Sequence, residues 1–468
     1  MQLIKWNKNT FWRQYGDIGI CFNQHLNKTV VVNRHAVLFL QYLSRERQKT
    51  QDIVQKLKIQ FPTVREITLE EDFLELVAPL AKQGMISLSE ENREGLPSSQ
   101  DVQGIVFPKV DSTKRYLDVY FQDKPQLMSL QIEITPNCNL RCVHCYLGFA
   151  HASRNTQKTL STEIICNVIN EFTKLGGLHI TFTGGEALLN KDLIPLLACA
   201  SKNDLSITLL TNGTLFTEEF VQTLYRYNLA KVQLSLYSMV EAEHDAITQI
   251  KGSCSRTKHA VNLLLKYHIP VQLACVVMKE NQNSFVSVVK FAREHNLVAK
   301  VGNTIQALEN FGKENLSHRV DTTEAARFIR KYFDANPTAA FNLIYSSQHP
   351  KADDFVCGLG HYALNLNAQG KYTPCAGFNQ ELGDVNKDSL YHVFYESKQM
   401  DKLRKIRLKD YEKCCTCQDK NYCDLCPGKL FSESGGDMFK LSDYFCEVAH
   451  INRRIAEEFV ASHKKDGK

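Results

Sequence analysis

Three cysteines in one short stretch are the residues of this chain best placed to do chemistry. Cys138, Cys142 and Cys145 are separated by three and then two residues, directly after an apolar stretch with the pattern of a β-strand. A cubic iron–sulfur cluster usually takes four thiolate ligands, so a loop with three leaves one iron free to bind a ligand that is not protein. A structural zinc site, with His144 or His151 as fourth ligand, is the alternative.

The composition agrees with metal chemistry in a reducing compartment. The chain has 468 residues, a net charge of +5 and 16 cysteines. Since cysteines of cytosolic proteins are rarely paired in disulfides, this number indicates metal or redox sites. The mild charge does not indicate nucleic acid binding, and no signal peptide or membrane-spanning stretch is evident. We therefore expect a cytoplasmic protein with no nucleic acid or membrane partner.

Strand-like and helix-like stretches alternate from residue 131 to about 336. Strands are predicted at 131–135, 178–183, 206–211, 231–237, 271–277 and 298–304. Helices are predicted from Ser161 onwards and at 191–201, 217–227, 256–268, 284–295 and 322–335. This alternation predicts a parallel sheet with crossover helices, and six units suit a partial (β/α)6 TIM-like barrel. Its active site is expected at the C-terminal ends of the strands.

Small and polar residues stand at those strand ends. Gly184, Gly185 and Glu186 follow the second strand, Asn212 follows the third, and Ser235 ends the fourth. Glycines let the backbone approach a ligand closely, and a glutamate can accept a hydrogen bond from an ammonium group. Each turn alone would be an ordinary connection between a strand and a helix, so only their order after the cysteine loop makes them informative.

In these motifs the chain resembles the radical S-adenosylmethionine (SAM) enzymes, whose loop has the same Cys-x3-Cys-x2-Cys spacing. The resemblance implies that the open iron of a [4Fe-4S] cluster chelates SAM, and that one electron cleaves SAM to methionine and a 5′-deoxyadenosyl radical. It also implies an electron donor of flavodoxin or ferredoxin type. The SAM contacts implied are Gly184, Gly185 and Glu186 at the amine, Asn212 and Ser235 at the ribose and carboxylate, and His144 and Tyr146 near adenine. Ala187 stands where the family usually has proline, and Tyr237-Ser238 where many relatives have Asp-Gly.

The last third of the chain carries cysteines in a fixed order. They are Cys357, Cys375, Cys414, Cys417, Cys423, Cys426 and Cys446. This order resembles the SPASM extension of radical SAM enzymes, which implies two auxiliary clusters and therefore three [4Fe-4S] clusters in all. Two features depart from the family: Cys423 and Cys426 are separated by two residues instead of three, and Cys415 could compete with Cys414. Zinc remains the alternative, since Cys-x2-Cys pairs are common in zinc sites.

The resemblance also implies how these ligands are divided. One auxiliary cluster would take Cys414, Cys417, Cys423 and Cys446, and the other Cys357, Cys375 and Cys426. Fully ligated relatives have a further cysteine shortly after the first, but residues 358–363 contain none. We therefore expect a vacant iron able to hold a substrate thiolate, because iron accepts soft sulfur ligands. His361 or water is the alternative ligand.

The first 95 residues have the pattern of a small separate domain. Strand-like runs at 17–22 and 28–32 precede three predicted helices, the first capped by Asn33 and the others at 51–57 and 70–83. Two strands followed by three helices resemble the winged-helix element that binds leader peptides in ribosomal-peptide maturases. A DNA-reading helix-turn-helix is the alternative, but the third helix is acidic, with Glu70, Glu71, Asp72 and Glu75.

Four parts are therefore predicted: a winged-helix leader-peptide recognition domain (1–95), a linker (96–130), a radical SAM partial barrel (131–340) and a SPASM domain (341–468). The function expected is that of a radical SAM oxidoreductase which binds the leader of a ribosomal precursor peptide and installs an intramolecular thioether from a cysteine thiol to a carbon. A carbon–carbon cross-link, a formylglycine-forming enzyme, a zinc-binding regulator and an electron-transfer protein are the alternatives. No pattern identifies a catalytic base; Tyr237, His244, Asp245 and His361 are the candidates.

Overall fold

The structure is a computed structural model, which describes residues 2–24, 26, 28–90, 120–121, 124–148, 159–227, 229–345, 350–358 and 360–465. These residues form two compact units, one mainly from residues up to 90 and the other mainly from residues after 120. Most of the predicted linker, and His151, lie outside the described residues. None of the helices in the described ranges is long and apolar enough to cross a membrane.

The N-terminal unit combines two small antiparallel sheets with three helices among its described residues. Its elements are β1 (Gln2–Trp6), β2 (Thr10–Tyr15), β3 (Ile18–Asn23), β4 (Lys28–Val32), α1 (Arg34–Leu40), β5 (Gln48–Lys49), α2 (Thr50–Gln60), α3 (Glu66–Lys82) and β6 (Ile86–Glu90). One sheet has the order β2-β3-β4, and in the other β1 lies between β5 and β6. Strand β4 is therefore at an edge of its sheet.

The helices of this unit form where the sequence predicted them, but the strand count was incomplete. Asn33 caps α1 by accepting a hydrogen bond from the backbone N–H of Ala36 at 3.0 Å. The apolar faces of α2 and α3 bury Ile53, Leu57 and Phe73 completely. The predicted order of two strands and then three helices lacks four strands: β1 and β2 before the hairpin, β5 between α1 and α2, and β6 after α3. Since β1 pairs with a strand more than 80 residues away, its local pattern gave no sign of a partner.

The second unit contains the alternating strands and helices. The strands are β7 (Ser129–Glu133), β8 (His179–Thr183), β9 (Ser206–Thr211), β10 (Lys231–Ser235), β11 (Val271–Val276) and β12 (Val298–Gly302). The helices are α4 (Thr162–Lys174), α5 (Leu193–Lys202), α6 (Glu218–Leu224), α7 (Glu241–Thr248), α8 (Ser253–Lys266), α9 (Phe285–Glu294), α10 (Thr322–Ala335) and α11 (Pro337–Tyr345). The six strands lie in the order β12-β11-β10-β9-β8-β7, and the pairs β12-β11, β11-β10, β10-β9 and β8-β7 are parallel. This is the predicted partial barrel.

Local sequence explains most of these elements. Ser161 caps α4 by accepting from the N–H of Ile164 at 3.2 Å, and the helix buries Ile165, Ile169 and Phe172 on one face. Helix α7 was not predicted. It has only eight residues, Glu241–Thr248, and most of them are polar, so no apolar period marks it.

The C-terminal region extends the same sheet. Its elements are β13 (Ala363–Leu366), β14 (Lys371–Thr373), β15 (Gly383–Asp384), α12 (Lys398–Arg404), α13 (Glu412–Cys415), α14 (Pro427–Ser434) and α15 (Asp443–Lys465). Strand β13 pairs in parallel with β7, with Leu364 opposite Leu130, and β14 and β15 follow antiparallel. The cysteine-rich region is thus joined to the barrel through β7, the strand that leads into the cysteine loop.

Candidate metal centres and SAM site

The cysteine loop follows β7 and is held from two sides. Toward β8, the N–H of Gly185 donates to the carbonyl of Thr135 at 2.9 Å and the N–H of Glu186 donates to that of Asn137 at 2.8 Å. Toward α7, the N–H groups of Arg141 and Val143 donate to carbonyls at its C-terminal end, each at 3.0 Å. The unpredicted helix therefore fixes the loop at the strand ends.

The three thiols of the loop lie close to one another, and their residues are half-buried. Burial, then the neighbouring Cys145 and Cys138, raise the pKa of the Cys142 thiol. Burial raises the pKa of Cys138 to about 12, although the N–H of Leu140, 3.4 Å from its sulfur, lowers it. Neighbouring thiols of this kind become thiolates when a positively charged metal group binds them, because the metal supplies the missing counter-charge.

The Gly-Gly-Glu turn fits a cationic ligand. Gly184 has φ +139°, and a Cβ there would lie 2.3 Å from the carbonyl oxygen of Thr135, so only glycine fits. The carboxylate of Glu186 is 1% exposed and accepts hydrogen bonds from the hydroxyl of Thr211 at 2.6 Å and the N–H groups of Asn212 and Leu188 at 2.7 and 3.0 Å. All three donors are neutral, and Glu186 forms no ion pair with any described residue. A ligand ammonium group would provide that missing positive charge.

The loops after β9 and β10 also reach the cysteines. The side-chain amide of Asn212 donates to Asn139 at 2.8 Å and forms a hydrogen bond that lowers the pKa of Cys138. Ser235 is the last residue of β10. The structure therefore brings Gly184, Gly185, Glu186, Asn212 and Ser235 to the edge of the sheet that carries the cysteine loop.

The two aromatic residues beside Cys145 differ in their surroundings. The His144 ring packs edge-on to Tyr237, with centroids 4.8 Å apart, and burial lowers its pKa to about 4. Its Nδ1 and the Oδ1 of Asn137 are buried without a hydrogen-bond partner among the described residues. Such unsatisfied atoms beside the thiols suit a site that a bound group completes. Tyr146 is half-buried, and its pKa is raised well above its ordinary value by desolvation and by Glu133, Glu309 and the thiols of Cys145 and Cys375.

A second group of three thiols is gathered from distant parts of the chain. Burial raises the pKa of Cys375 to about 12, with Cys426 and Cys357 as neighbouring thiols that raise it further. Cys426 precedes α14, and a Cβ on Gly428 would lie 3.2 Å from the carbonyl of Gly377, so glycine permits this close approach. The ring of His361 stacks on Phe355 and interacts with the carbonyl of Phe121 and the backbone of Arg404.

The remaining four predicted ligands lie together near α13 and the start of α15. Burial raises the pKa of Cys423 to about 12, and the nearby thiols of Cys414, Cys446 and Cys417 contribute to this rise. Cys415 neighbours Cys414. Within the described ranges, no three His, Cys, Asp or Glu side chains are placed so that they could hold a single metal ion.

Two candidates for a catalytic base have structural roles instead. Asp245 accepts from the N–H groups of Gly252 and Cys254 and the hydroxyl of Ser253 at the start of α8. Burial opposes its charge, but these hydrogen bonds prevail and lower its pKa. His244 Nδ1 accepts from the N–H of Tyr237 at 3.2 Å, and burial lowers the pKa of His244 to about 4. The side chains of both residues therefore hold nearby backbone through hydrogen bonds.

Comparisons with known proteins agree with this geometry. Residues 132–292 match the model of the radical SAM superfamily, and residues 357–419 match the SPASM iron–sulfur cluster-binding domain. The chain is 26% identical over 309 residues to the antilisterial bacteriocin subtilosin biosynthesis protein AlbA of Bacillus subtilis, covering 64% of this chain and 67% of that protein. It is 23% identical over 327 residues to the AdoMet-dependent heme synthase of Methanosarcina barkeri, covering 65% of this chain and 92% of that one.

The fold is also similar to that of a solved structure along almost the whole chain. The crystal structure of Streptococcus suis SuiB bound to the precursor peptide SuiA covers 95% of this chain and 99% of its own, with a TM-score of 0.63 and 17% identity. A partial barrel with a three-cysteine loop, followed by a cysteine-rich extension, defines a class of iron–sulfur enzymes that use SAM. The chain carries a radical SAM domain followed by a SPASM domain, and these matches decide between iron and zinc in favour of iron.

Proposed function

We propose that this chain is a radical SAM peptide maturase that binds the leader of a ribosomal precursor peptide and links a cysteine thiol of that peptide to a carbon. The observation that carries the thioether is the group Cys357, Cys375 and Cys426, in which three thiols lie together and the ring of His361 is engaged with backbone groups. An iron held by three thiolates has one coordination position for a substrate sulfur.

The peptide substrate is supported by the N-terminal unit and by two relatives. SuiB, whose fold matches 95% of the chain, was solved with a precursor peptide, and AlbA serves the biosynthesis of a bacteriocin. In this proposal residues 1–95 act as a winged-helix recognition domain. The leader would add as a strand to the edge formed by β4 (Lys28–Val32), since an edge strand offers unpaired backbone groups.

In this proposal, different residues of the chain hold the cluster and orient SAM. Cys138, Cys142 and Cys145 would hold the SAM-binding cluster, with Glu186 orienting the amine of SAM and Asn212 and Ser235 near its other polar groups. When bound, SAM and the clusters supply a 5′-deoxyadenosyl radical that takes one hydrogen atom from the peptide, and an acceptor for the electron released when the thiolate bonds to that carbon.

The same proposal includes the cofactors and partners of the protein. The two C-terminal thiol groups would bind two auxiliary clusters, giving three [4Fe-4S] clusters with the loop. A flavodoxin or ferredoxin would deliver the electron. The domain boundaries proposed are 1–95, 96–130, 131–340 and 341–468.

Mass spectrometry of a reacted precursor peptide tests the function. Anaerobic reaction with SAM and a reductant should remove two hydrogen atoms from the peptide and protect one cysteine from alkylation. A peptide that loses two hydrogens with every thiol still reactive would indicate the alternative, a carbon–carbon cross-link. A matched precursor without its leader should react much more slowly at the same concentration; equal rates would contradict leader capture.

A further inference from the structure

A buried ion pair connects the barrel to the cysteine-rich C-terminal region. Arg319 lies in the segment between β12 and α10, and its Nη2 donates to Oε1 of Glu433 on α14 at 2.8 Å. The two side chains are only 8% and 14% exposed. Oε2 of the same carboxylate accepts a hydrogen bond from the hydroxyl of Ser442 at 3.3 Å. The carboxylate thus joins Arg319 to the residue directly before α15.

The guanidinium group of Arg319 also packs against two aromatic rings at the start of α15. Its Cζ lies 4.5 Å from the ring centroid of Tyr444 and 5.3 Å from that of Phe445. A cation over an aromatic face is attracted to the ring, and more strongly where water is excluded. Arg319 therefore contacts both α14 and α15. Cys426, from one auxiliary group, directly precedes α14, and Cys446, from the other, lies in the first turn of α15.

The polar groups of this contact are incompletely satisfied. Nε of Arg319 and the hydroxyl of Tyr444 are buried without a hydrogen-bond partner among the described residues. A buried ion pair adds little stability compared with apolar side chains of similar volume, because the cost of desolvating both charges offsets their attraction. Stability alone therefore does not account for the pair. A paired charge accepts fewer arrangements than an apolar contact does, and this suits a residue that fixes the position of its partners.

Other contacts between α10 and α15 are of an ordinary kind. The rings of Phe333 and Phe459 are 5.9 Å apart, and Arg330 pairs with Glu458 at 3.0 Å with both side chains about half exposed. Exposed ion pairs of this kind contribute little, since water screens the charges. Arg319, in contrast, is buried and reaches α14 as well as α15.

We propose that Arg319 is a positioning residue that holds both auxiliary thiol groups at one place on the barrel and thereby keeps cross-linking coupled to SAM cleavage. The inference rests on the proposed function, in which the radical forms at the cysteine loop and the thioether forms at Cys357, Cys375 and Cys426. Reacting groups must be held in a precise geometry for efficient reaction. A radical formed while the second group is displaced would give 5′-deoxyadenosine without cross-linked peptide.

A double variant that replaces the ion pair by apolar side chains tests this. Arg319→Met combined with Glu433→Leu removes both charges together, so neither is left buried and unpaired. We expect SAM cleavage within a few fold of wild type and a thermal unfolding midpoint no lower than that of wild type. The amount of 5′-deoxyadenosine formed per cross-linked peptide should rise about tenfold. Arg330→Met combined with Glu458→Leu is the matched control, because that pair is exposed; its ratio should equal that of wild type.

An unchanged ratio in the double variant with full iron content would overturn the proposal. A lower unfolding midpoint with equal loss of 5′-deoxyadenosine and cross-linked peptide would overturn it as well, since a purely structural role gives that result. If the double variant binds less iron, Glu433→Gln takes its place, because it keeps the shape of the side chain and removes the charge. A smaller rise in the ratio is then expected, and a wild-type ratio would contradict the proposal.

Hydrogen exchange separates this inference from the proposed function. If the wild-type protein makes no cross-linked peptide, the proposed function fails, whereas exchange can be measured without any peptide. The backbone amides of α14 should exchange about tenfold faster in the double variant than in wild type, because the helix loses its ion pair with the barrel. The amides of α9 should exchange at the wild-type rate. Equal rates for α14 in the two proteins would refute the role of Arg319 whatever the peptide product.

Discussion

The two groups of three thiols in this chain are alike in number and different in origin. Cys138, Cys142 and Cys145 come from one loop of eight residues, whereas Cys357, Cys375 and Cys426 are collected from a span of 70 residues. The first group is set beside Glu186, a buried carboxylate whose hydrogen-bond donors are all neutral. The second has aromatic neighbours, with Phe378 and Phe431 in ring contact at 4.7 Å.

This difference indicates that three thiolates alone do not define a cluster's role. The first site presents polar groups suited to an amino acid such as SAM, including the orphaned Oδ1 of Asn137 and Nδ1 of His144. In the proposed function the second site would instead take a sulfur ligand from a peptide. The phenol of Tyr146 lies near a thiol of each group, Cys145 and Cys375.

The largest effect is expected from replacing one of the three cysteines of the loop. Cys142→Ser should abolish reductive cleavage of SAM, because a serine hydroxyl is a poor ligand for this iron and the cluster loses one of its three anchors. The measurement is 5′-deoxyadenosine formed per enzyme with dithionite as reductant. Cys166→Ser is the control, since Cys166 lies on α4 outside the thiol groups; it should cleave SAM normally. Cleavage by the Cys142 variant at the wild-type rate would refute the assignment.

A substitution in the second group of thiols should separate SAM cleavage from formation of the cross-link. Cys375→Ser is expected to leave SAM cleavage within a few fold of wild type and to lose the cross-linked peptide, because the role proposed for Cys357, Cys375 and Cys426 is in forming the product bond and not the radical. Both products are measured in one reaction by mass spectrometry. If the variant still forms cross-linked peptide at the wild-type yield, the auxiliary role assigned to this group is wrong.

A smaller effect is expected from a substitution in the Gly-Gly-Glu turn of the SAM site. Gly184→Ala places a Cβ against the carbonyl of Thr135 at a φ of +139°, and strain of about 1–3 kcal/mol should displace the turn from the loop. We expect SAM affinity to fall roughly tenfold, since about 1.4 kcal/mol corresponds to a factor of ten. Calorimetric titration of SAM measures this.

A glycine in open space provides the control for that variant. Gly435 has φ +83° and no atom within 4 Å of an added Cβ. Gly435→Ala should therefore lower stability by about 1 kcal/mol and leave SAM affinity unchanged. Equal SAM affinities in the two variants would show that the turn does not shape the SAM site.

The smallest effect concerns the cysteine that the sequence left as a competing ligand. Cys415→Ser should leave the iron content unchanged, whereas Cys414→Ser should lower it, because Cys414 is among the thiols grouped with Cys423. Iron and acid-labile sulfide per chain are the measurement. A loss of iron on changing Cys415 alone would reverse this assignment.

The repeated units of the barrel were predictable because each one is a local pattern. Strand β9 (Ser206–Thr211) and helix α10 (Thr322–Ala335) begin and end where the sequence predicted. Helix α7 and strand β1 were missed, because α7 is short and polar and β1 depends on a partner far along the chain.

The sequence by itself determined the cysteine loop, the Gly-Gly-Glu turn and the alternating strands, since their spacing is a property of adjacent residues. Only the tertiary structure decided which distant thiols meet and that the ring of His361 turns to the backbone. These contacts join segments far apart in the chain, and their geometry is set by the packing of the sheet and not by any local period.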